Sequence, residues 1–329
     1  MIVDLQPTEE QALIIESIDT LFREALPVER LRESSNVAAG AERARWRELV
    51  ELGLFGFGLS SEQGGLGYGL TEEALAARCL GRYCISPTTL ATLLAVHVAA
   101  RCGRDDLREG FQSGRLRAAL ANPADHESTV QLLDSLDCDW LLLLDQPCAL
   151  LPRNALRFTD EVCCLDETVH LARATFDSRK LLRADLRERP GLLLAAYLVG
   201  NAQATVSMAV RYAGTREQFG QPIGAFQAIK HSCADMAVRA AAAEAQTLYA
   251  AVATHAHSFL GAAERNVEAA SARLLAGQAA VTNAKANIQI HGAMGFTAEC
   301  DAHLFLKRAL LFSNLGVDPL AQRAQILGL

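Results

Sequence analysis

The chain has 329 residues, of which 50% are hydrophobic and 21% charged, and its formal net charge is −7. These values indicate a soluble globular protein of two or three domains, and the acidic balance argues against a nucleic-acid partner, because a polyanion is bound by a basic surface. The nine cysteines show no CxxC pair and no zinc-ligand spacing, which predicts buried thiols in a reducing compartment and no metal site.

Residues 1–117 are predicted to form an N-terminal α-helical domain. Thr8 and Gln11 have the spacing of a capping box ahead of an apolar periodic segment, and Trp46 and Leu49 recur at helical spacing. This block therefore begins with a well-defined helix start.

A glycine-rich stretch at residues 64–69, GGLGYG, superficially resembles a phosphate-binding loop. Such a loop needs a preceding strand and a helix that opens directly from it, whereas helical sequence lies on both sides here. We therefore do not predict a dinucleotide-binding fold.

Residues 118–186 are predicted to form a reduced middle β domain. Short apolar runs broken by Asp, Pro and Asn are typical of strands. The runs are 130–133, 140–144, 156–158 and 169–172.

Residues 187–329 are predicted to form a C-terminal helical bundle. Ala-rich segments return at 192–215, 225–257, 264–290 and 299–315, and they are longer than the average helix of about 12 residues. Long antiparallel helices bury their apolar stripes best in a bundle, with loops near Gly224 and Gly292.

Three segments carry recognisable motifs. They are WRELVELGLFG at 46–56 with EQGGLG at 62–67, RYAGTREQFGQPIGAFQAIKH at 211–231, and QIHGAMGF at 289–296. In this order they resemble the acyl-CoA dehydrogenase family over most of the chain. The resemblance implies a mainly α fold with a small β domain: an N-terminal helical domain, a middle β domain and a C-terminal four-helix bundle that drives dimer and tetramer assembly.

The resemblance also implies FAD as cofactor, with its adenosine diphosphate half bound across a subunit boundary. The residues at the matching positions are Arg216, Gln218, Phe219, Gln289 and Gly292. A pyrophosphate needs a permanent cation, which Arg supplies, and close backbone approach, which Gly permits.

A structural alternative exists for the same residues, in which Arg216 pairs with Glu217 or Asp235 on a solvated helix face and Gly292 only ends a helix. Ala293 also replaces the second glycine of the family pair, so its methyl group would crowd a pyrophosphate if the residue needed a positive φ.

The flavin side of the family pattern is missing. Residues 119–127, ALANPADHE, keep only Pro123 and an acidic residue of the family segment TEPxxGSD, and no WITN segment follows. Where relatives carry a catalytic Glu, this chain has Gly316, Pro190 or Tyr197.

No residue is therefore predicted as the catalytic base that removes the α-proton. The remaining carboxylates near these positions are Glu188, Glu299 and Asp318, each more simply a helix-end or surface group. Tyr197 is expected to pack inside the bundle.

No metal site is predicted from the histidines. His291 and His303 lack a third ligand, and His291 is more simply a hydrogen-bonded loop residue. His255 and His257 lie on different helix faces and cannot form an i,i+4 metal clamp.

The pattern resembles the short, degenerate subunit of heterotetrameric acyl-CoA dehydrogenases of bacterial steroid side-chain degradation. The resemblance implies an acyl-CoA substrate, a homologous base-bearing subunit in an α2β2 assembly, and an electron-transfer flavoprotein as acceptor. Two alternatives stay open: a self-sufficient homo-oligomeric dehydrogenase with an unorthodox base such as Glu188, and a non-catalytic scaffold.

A cytoplasmic protein is expected. Asp4, Glu9 and Glu10 stand where a signal peptide would have its basic region, and apolar runs such as 192–200 are shorter than a membrane span.

Overall fold

The computed structural model describes residues 4–33, 35–124, 128–177, 180–254 and 260–328, and a helical domain, a β-sheet and a helical bundle follow one another in that order along the chain. This is the fold class that the sequence predicted.

The N-terminal domain is built from helices and short 3-10 turns. Its helices are α1 (Glu9–Ala25), α2 (Ser35–Ala44), α3 (Trp46–Glu51), α4 (Leu70–Arg82), α5 (Pro87–Arg101) and α6 (Asp105–Gln112). The predicted capping box is confirmed: Gln11 N–H donates to Thr8 Oγ1 at 3.2 Å, and Thr8 N–H donates to Gln11 Oε1 at 3.0 Å. Residues 64–69 connect the 3-10 turn Ser61–Gln63 to α4.

The middle domain is one seven-stranded sheet in the order β5-β6-β2-β1-β3-β4-β7. Its strands are β1 (Ala118–Pro123), β2 (Thr129–Leu133), β3 (Trp140–Leu143), β4 (Cys148–Pro152), β5 (Leu156–Val162), β6 (Leu171–Phe176) and β7 (Leu182–Ala184). The pair β1–β3 is parallel and the other five pairs are antiparallel.

Sequence reasoning located β2, β3, β5 and β6 but missed β1, β4 and β7. Three of the first four residues of β1 are alanine, which has low strand propensity, so the strand is defined by its pairing with its neighbours in the sheet. Leu120 belongs to the core cluster shared with the helices, whereas Ala119 and Ala121 face the other side of the sheet.

The C-terminal domain contains α7 (Arg189–Thr215), α8 (Gln227–Ala253), α9 (Ala262–His291), α10 (Ala302–Ser313) and α11 (Pro319–Leu327), with a small hairpin of β8 (Glu217–Gln218) and β9 (Gln221–Pro222) between α7 and α8. The four predicted long helices are present, although α8 ends at Ala253. His255 and His257 lie outside the described residues.

Helix α7 lies at the centre of the molecule, against α4 on one side and α9 on the other. It approaches α4 closely because Gly200 and Gly81 have no side chain: a Cβ at Gly200 would overlap the carbonyl oxygen of Arg78, and one at Gly81 would overlap that of Tyr197. The two helix backbones are therefore in direct contact.

Helix α7 is also the one described helix long and apolar enough to cross a membrane, with a mean hydropathy of 1.4 over its best window. The uninterrupted apolar run at 192–200 is shorter than a membrane span, whereas the whole helix meets this criterion of length and composition. Since 67% of that window is buried inside the protein, α7 packs as a core helix.

Candidate functional site

The two C-terminal motif segments meet at one end of the bundle. The Tyr212 ring, one turn before the end of α7, stacks on the ring of His291, the last residue of α9, with centroids 4.1 Å apart. His291 is buried, and its Nδ1–H donates to the Asn287 carbonyl oxygen at 2.8 Å, so its predicted hydrogen-bonded role is confirmed, in a helix rather than a loop. We call residues 212–226 and 287–296 the bundle end.

The β8–β9 hairpin presents an aromatic side chain to solvent. Its two central residues, Phe219 and Gly220, have φ of 54° and 79°, the combination found in type I′ turns. The left-handed conformation costs a non-glycine residue about 1 kcal/mol. Phe219 is 92% exposed, and its ring meets the ring of Phe226 edge-on, with the ring centroids 6.1 Å apart. Phe219 is therefore a candidate contact residue by its position in the motif and by its exposure.

Arg216 lies directly before this hairpin with its side chain exposed. Its backbone N–H donates to the Tyr212 carbonyl oxygen at 2.8 Å and closes α7. Within the described part of the chain its guanidinium has no ion pair, so the predicted alternative of a pair with Glu217 or Asp235 is not observed. The neighbouring Gln218 is exposed, and its Nε2 donates locally to the Glu217 carbonyl oxygen at 2.8 Å.

Gly292 ends α9 with a φ of +62°, and a Cβ placed there would meet nothing within 4 Å. Gln289 is exposed one turn earlier. Ala293 is not among the described residues with positive φ, so its methyl group introduces no backbone strain. The surface around Gly292 is apolar and open, since Met294 and Phe296 are 49% and 75% exposed.

A cleft of about 890 Å³ lies between the sheet and the bundle. Pro123 and Leu144 line it from the sheet side, and Pro190 and Gly316 line it from the bundle side. Two of the three positions where relatives carry a catalytic Glu therefore face one cavity, and neither bears a carboxylate.

The loop that carries Gly316 is fixed by two side chains. Asn122 Oδ1 accepts the Gly316 N–H at 2.8 Å. The buried Arg273 guanidinium donates to the carbonyl oxygens of Phe312 and Leu315, and burial lowers the pKa of Arg273 to about 10. Sequence reasoning missed Arg273, because an arginine in an Ala-rich helix carries no sign of which carbonyls it will reach.

Tyr197 does not line the cleft but is fully buried, as predicted. Its ring stacks on Phe312 with centroids 3.9 Å apart, and its hydroxyl donates to the Ile85 carbonyl oxygen at 2.8 Å. Burial raises the pKa of Tyr197 far above its ordinary value, which keeps the phenol protonated.

Of the three carboxylates considered from the sequence, Glu188 alone faces the cleft. Its Oε1 lies 3.6 Å from Arg265 Nε, and its side chain is 7% exposed. Glu299 is on the surface, where its own backbone N–H and the Thr297 hydroxyl lower its pKa. Asp318 caps α11 through a 2.6 Å hydrogen bond from Leu320 N–H, so the helix-end role predicted for it is confirmed.

The stretch aligned with the missing flavin motif is described only in part. Residues 119–123 lie in β1, where residues 119–121 are buried, and Asp125, His126 and Glu127 lie outside the described residues. Asn122 and Pro123 are the members of this stretch placed near the cleft.

The cysteines are less uniformly buried than the sequence predicted. Cys79, Cys84, Cys138 and Cys148 are buried, but Cys163 is exposed and the other four are half-buried; all nine are free thiols. No cluster of three potential metal ligands occurs among the residues that the structure describes.

Comparisons with known proteins agree with the motifs. The models of the acyl-CoA dehydrogenase N-terminal and C-terminal domains match residues 8–114 and 187–316. The chain is 31% identical over 311 residues to the acyl-CoA dehydrogenase IpdE2 of Mycobacterium tuberculosis, covering 93% of this chain and 92% of that protein.

Solved structures share the fold. The butyryl-CoA dehydrogenase of Megasphaera elsdenii superposes with a TM-score of 0.79 at 17% identity, covering 99% of both chains. A chain of the ChsE4-ChsE5 complex from Mycobacterium tuberculosis also gives 0.79, at 18% identity, covering 99% of this chain and 97% of that one.

Proposed function

Because the chain belongs to the acyl-CoA dehydrogenase family, we propose that it is one subunit of an FAD-dependent enzyme for the α,β-dehydrogenation of an acyl-CoA thioester. In this proposal the chain binds the adenosine diphosphate half of FAD, and a homologous partner subunit carries the catalytic carboxylate. The family makes it an oxidoreductase acting on CH–CH bonds; the division of labour is the proposal.

The observation that carries the proposal is the contrast between the bundle end and the cleft. At the bundle end, the Arg216 guanidinium is exposed and unpaired within the described residues, and the approach to Gly292 is open. These groups fit a pyrophosphate, because a fork of charged donors and an unhindered backbone suit its oxygens. Phe219 and Gln289 would flank the nucleotide.

The cleft, by contrast, lacks the base at the positions where the family carries one. Gly316 has a φ of +73°, so a Glu there would be strained, and Pro190 has no ionisable group. Dehydrogenation requires a carboxylate that takes the α-proton while a hydride leaves the β-carbon. FAD, when bound, accepts that hydride, and this chain's residues would hold and orient the cofactor.

The partner is proposed as a second acyl-CoA dehydrogenase chain in an α2β2 assembly, and an electron-transfer flavoprotein as the electron acceptor. The ChsE4-ChsE5 neighbour is named as a complex of two proteins, which supports a heteromer. A steroid-like acyl group and a cytoplasmic location are part of the same proposal and rest on resemblance.

The test is co-expression of this chain with the product of the neighbouring gene, followed by the flavin-to-chain ratio and turnover. We expect one flavin per two chains and activity in the complex, with little of either in the isolated chain. Full FAD occupancy and turnover by the isolated chain would refute the proposal.

Arg216→Ala tests the cofactor contact directly. We expect the purified complex to lose most of its FAD, because the permanent cation next to the pyrophosphate is removed. The control is Arg47→Ala, whose guanidinium is 88% exposed and pairs with Glu51. Unchanged flavin content in Arg216→Ala would favour the scaffold alternative.

One observation favours a second candidate, a self-sufficient dehydrogenase: Glu188 faces the same cleft as Pro190 and Gly316. In that case the isolated chain is yellow, its flavin bleaches anaerobically with an acyl-CoA, and Glu188→Gln abolishes the bleaching. A colourless isolated chain rejects this candidate.

A further inference from the structure

Two cysteines, Cys163 and Cys164, stand next to each other directly after β5, the strand at one edge of the sheet. They are the one consecutive pair among the nine cysteines of the chain, and both are free thiols. Two thiols on adjacent residues can react with each other without bringing distant segments together. We call residues 163–170 the cysteine loop.

The two side chains have different surroundings. Cys163 is exposed, with its Sγ 3.9 Å from the Cys164 carbonyl oxygen. Cys164 is half-buried and packs against the main core cluster. Burial raises the pKa of the Cys164 thiol, and a hydrogen bond from the Asp166 backbone partly offsets this effect. A reagent from solvent therefore meets Cys163 first, and Cys164 is the adjacent thiol that can react next.

The cysteine loop is fastened to α10 in the bundle. Arg308 donates through Nε–H to Asp166 Oδ2 at 2.6 Å and through an Nη2 hydrogen to Thr168 Oγ1 at 2.8 Å. Lys307 pairs with Glu167. Asp166 and Arg308 are each 1% exposed, so this ion pair is inside the protein. A shift in the backbone at Cys164 is thus only two residues away from the ion pair that joins the sheet to the bundle.

We propose that Cys163 and Cys164 form a thiol–disulfide modification site, and that its oxidation by a low-molecular-weight disulfide loosens the attachment of the cysteine loop to α10. The Cys163 thiolate attacks one sulfur of the small disulfide, whose S–S bond breaks, and one small thiolate leaves and takes up a proton. The Cys164 thiolate then attacks the Cys163 sulfur and displaces the second small thiol. The protein dithiol is oxidised to a disulfide, and the small disulfide is reduced to two thiols.

The new bond would strain the loop. Consecutive Cα atoms are about 3.8 Å apart, whereas the Cα atoms of a disulfide usually lie about 4.4–6.8 Å apart. Neighbouring side chains of an extended segment point to opposite sides, so ring closure turns Cys164 away from the core and from the Asp166 backbone. The Asp166 carboxylate is then displaced from Arg308. Strained, exposed disulfides are reduced readily, which makes the change reversible.

The test incubates the reduced full-length chain with oxidised glutathione, alkylates the remaining thiols with iodoacetamide and digests the protein with trypsin. Cleavage after Arg157 and Arg173 yields a peptide whose only cysteines are Cys163 and Cys164. We expect this peptide to be two hydrogens lighter and to carry no alkyl group. The oxidised protein should melt at least about 4 °C below the reduced protein, and dithiothreitol should reverse both changes.

Three variants identify the thiols responsible. Cys163→Ser should keep its melting temperature in oxidised glutathione, and Cys164→Ser should stop at a mixed disulfide with one glutathione. Cys102→Ser is the matched control, because Cys102 is also half-buried but lies directly after α5, and this variant should respond like the wild type.

Two alkyl groups or a persistent glutathione adduct on the wild-type peptide would overturn the inference. An oxidised peptide without a change in melting temperature would also overturn it, and so would a loss of stability that persists in Cys163→Ser. None of these measurements uses flavin or a partner subunit, so their failure leaves the proposed function intact.

Discussion

Replacing Arg308 with Met is expected to destabilise the whole fold, because this side chain joins all three domains. Arg308 is 1% exposed and donates to five acceptors at 2.6–3.0 Å: Asp166 Oδ2, the carbonyl oxygens of Cys84 and Ile85, Tyr197 Oη and Thr168 Oγ1. Burial alone would lower the pKa of Arg308, but Asp166 raises it well above its ordinary value, so the guanidinium stays protonated.

The magnitude follows from what the substitution leaves behind. The carbonyl oxygens of Cys84 and Ile85 keep other donors, Arg30 and Tyr197. The Asp166 Oδ2 atom loses its guanidinium partner in a site that is 1% exposed, and Thr168 serves only Oδ1. Removing one partner of a buried ion pair costs about 3–5 kcal/mol, a large part of the roughly 5–15 kcal/mol that stabilises a typical domain.

Urea unfolding followed by circular dichroism measures the effect against two matched variants. Arg47→Met removes a guanidinium that is 88% exposed and pairs only at the surface, and should change stability by less than about 0.5 kcal/mol. Adding Asp166→Asn to Arg308→Met removes the unpaired charge, so the double variant should recover about 1–3 kcal/mol relative to additivity. If Arg308→Met unfolds at the same urea concentration as Arg47→Met, the reasoning is wrong.

Two other predictions concern α5 and α7. The imidazole of His97 takes up a proton near pH 6.5 in the unfolded chain but only near pH 4 in the fold, so the unfolded chain binds more protons in this window and stability falls with acidification. The stability gap between the wild type and His97→Gln should shrink by about 2 kcal/mol from pH 8 to pH 5, and an equal gap in urea titrations at both pH values would contradict this. Gly200→Ala should lower the free energy of unfolding by about 2 kcal/mol or more, because the added Cβ forces α7 away from Arg78 in α4. The control is Gly214→Ala: a Cβ there meets nothing within 4 Å, so the free energy of unfolding should rise by up to about 1 kcal/mol. Equal melting temperatures for the two variants would show that the two helices do not meet as described.

The candidate site was predictable where its residues form continuous motifs. Arg216, Phe219 and Gly292 could be named as candidates because glycines, an arginine and an aromatic residue stand at fixed spacings within short segments. Their exposure, the type I′ turn and the stacking of Tyr212 on His291 were not predictable, because these depend on where two helices end relative to one another.

The sequence alone determined what local interactions control: the capping box of Thr8 and Gln11, the long Ala-rich helices and four of the seven strands. Each depends on neighbours within a few residues, where propensity and periodicity act. The tertiary structure decided what distant segments share. It placed Pro190, Glu188 and Gly316 around one cleft and paired Asp166 with Arg308 across a domain boundary, because a side chain's partners depend on how the domains pack.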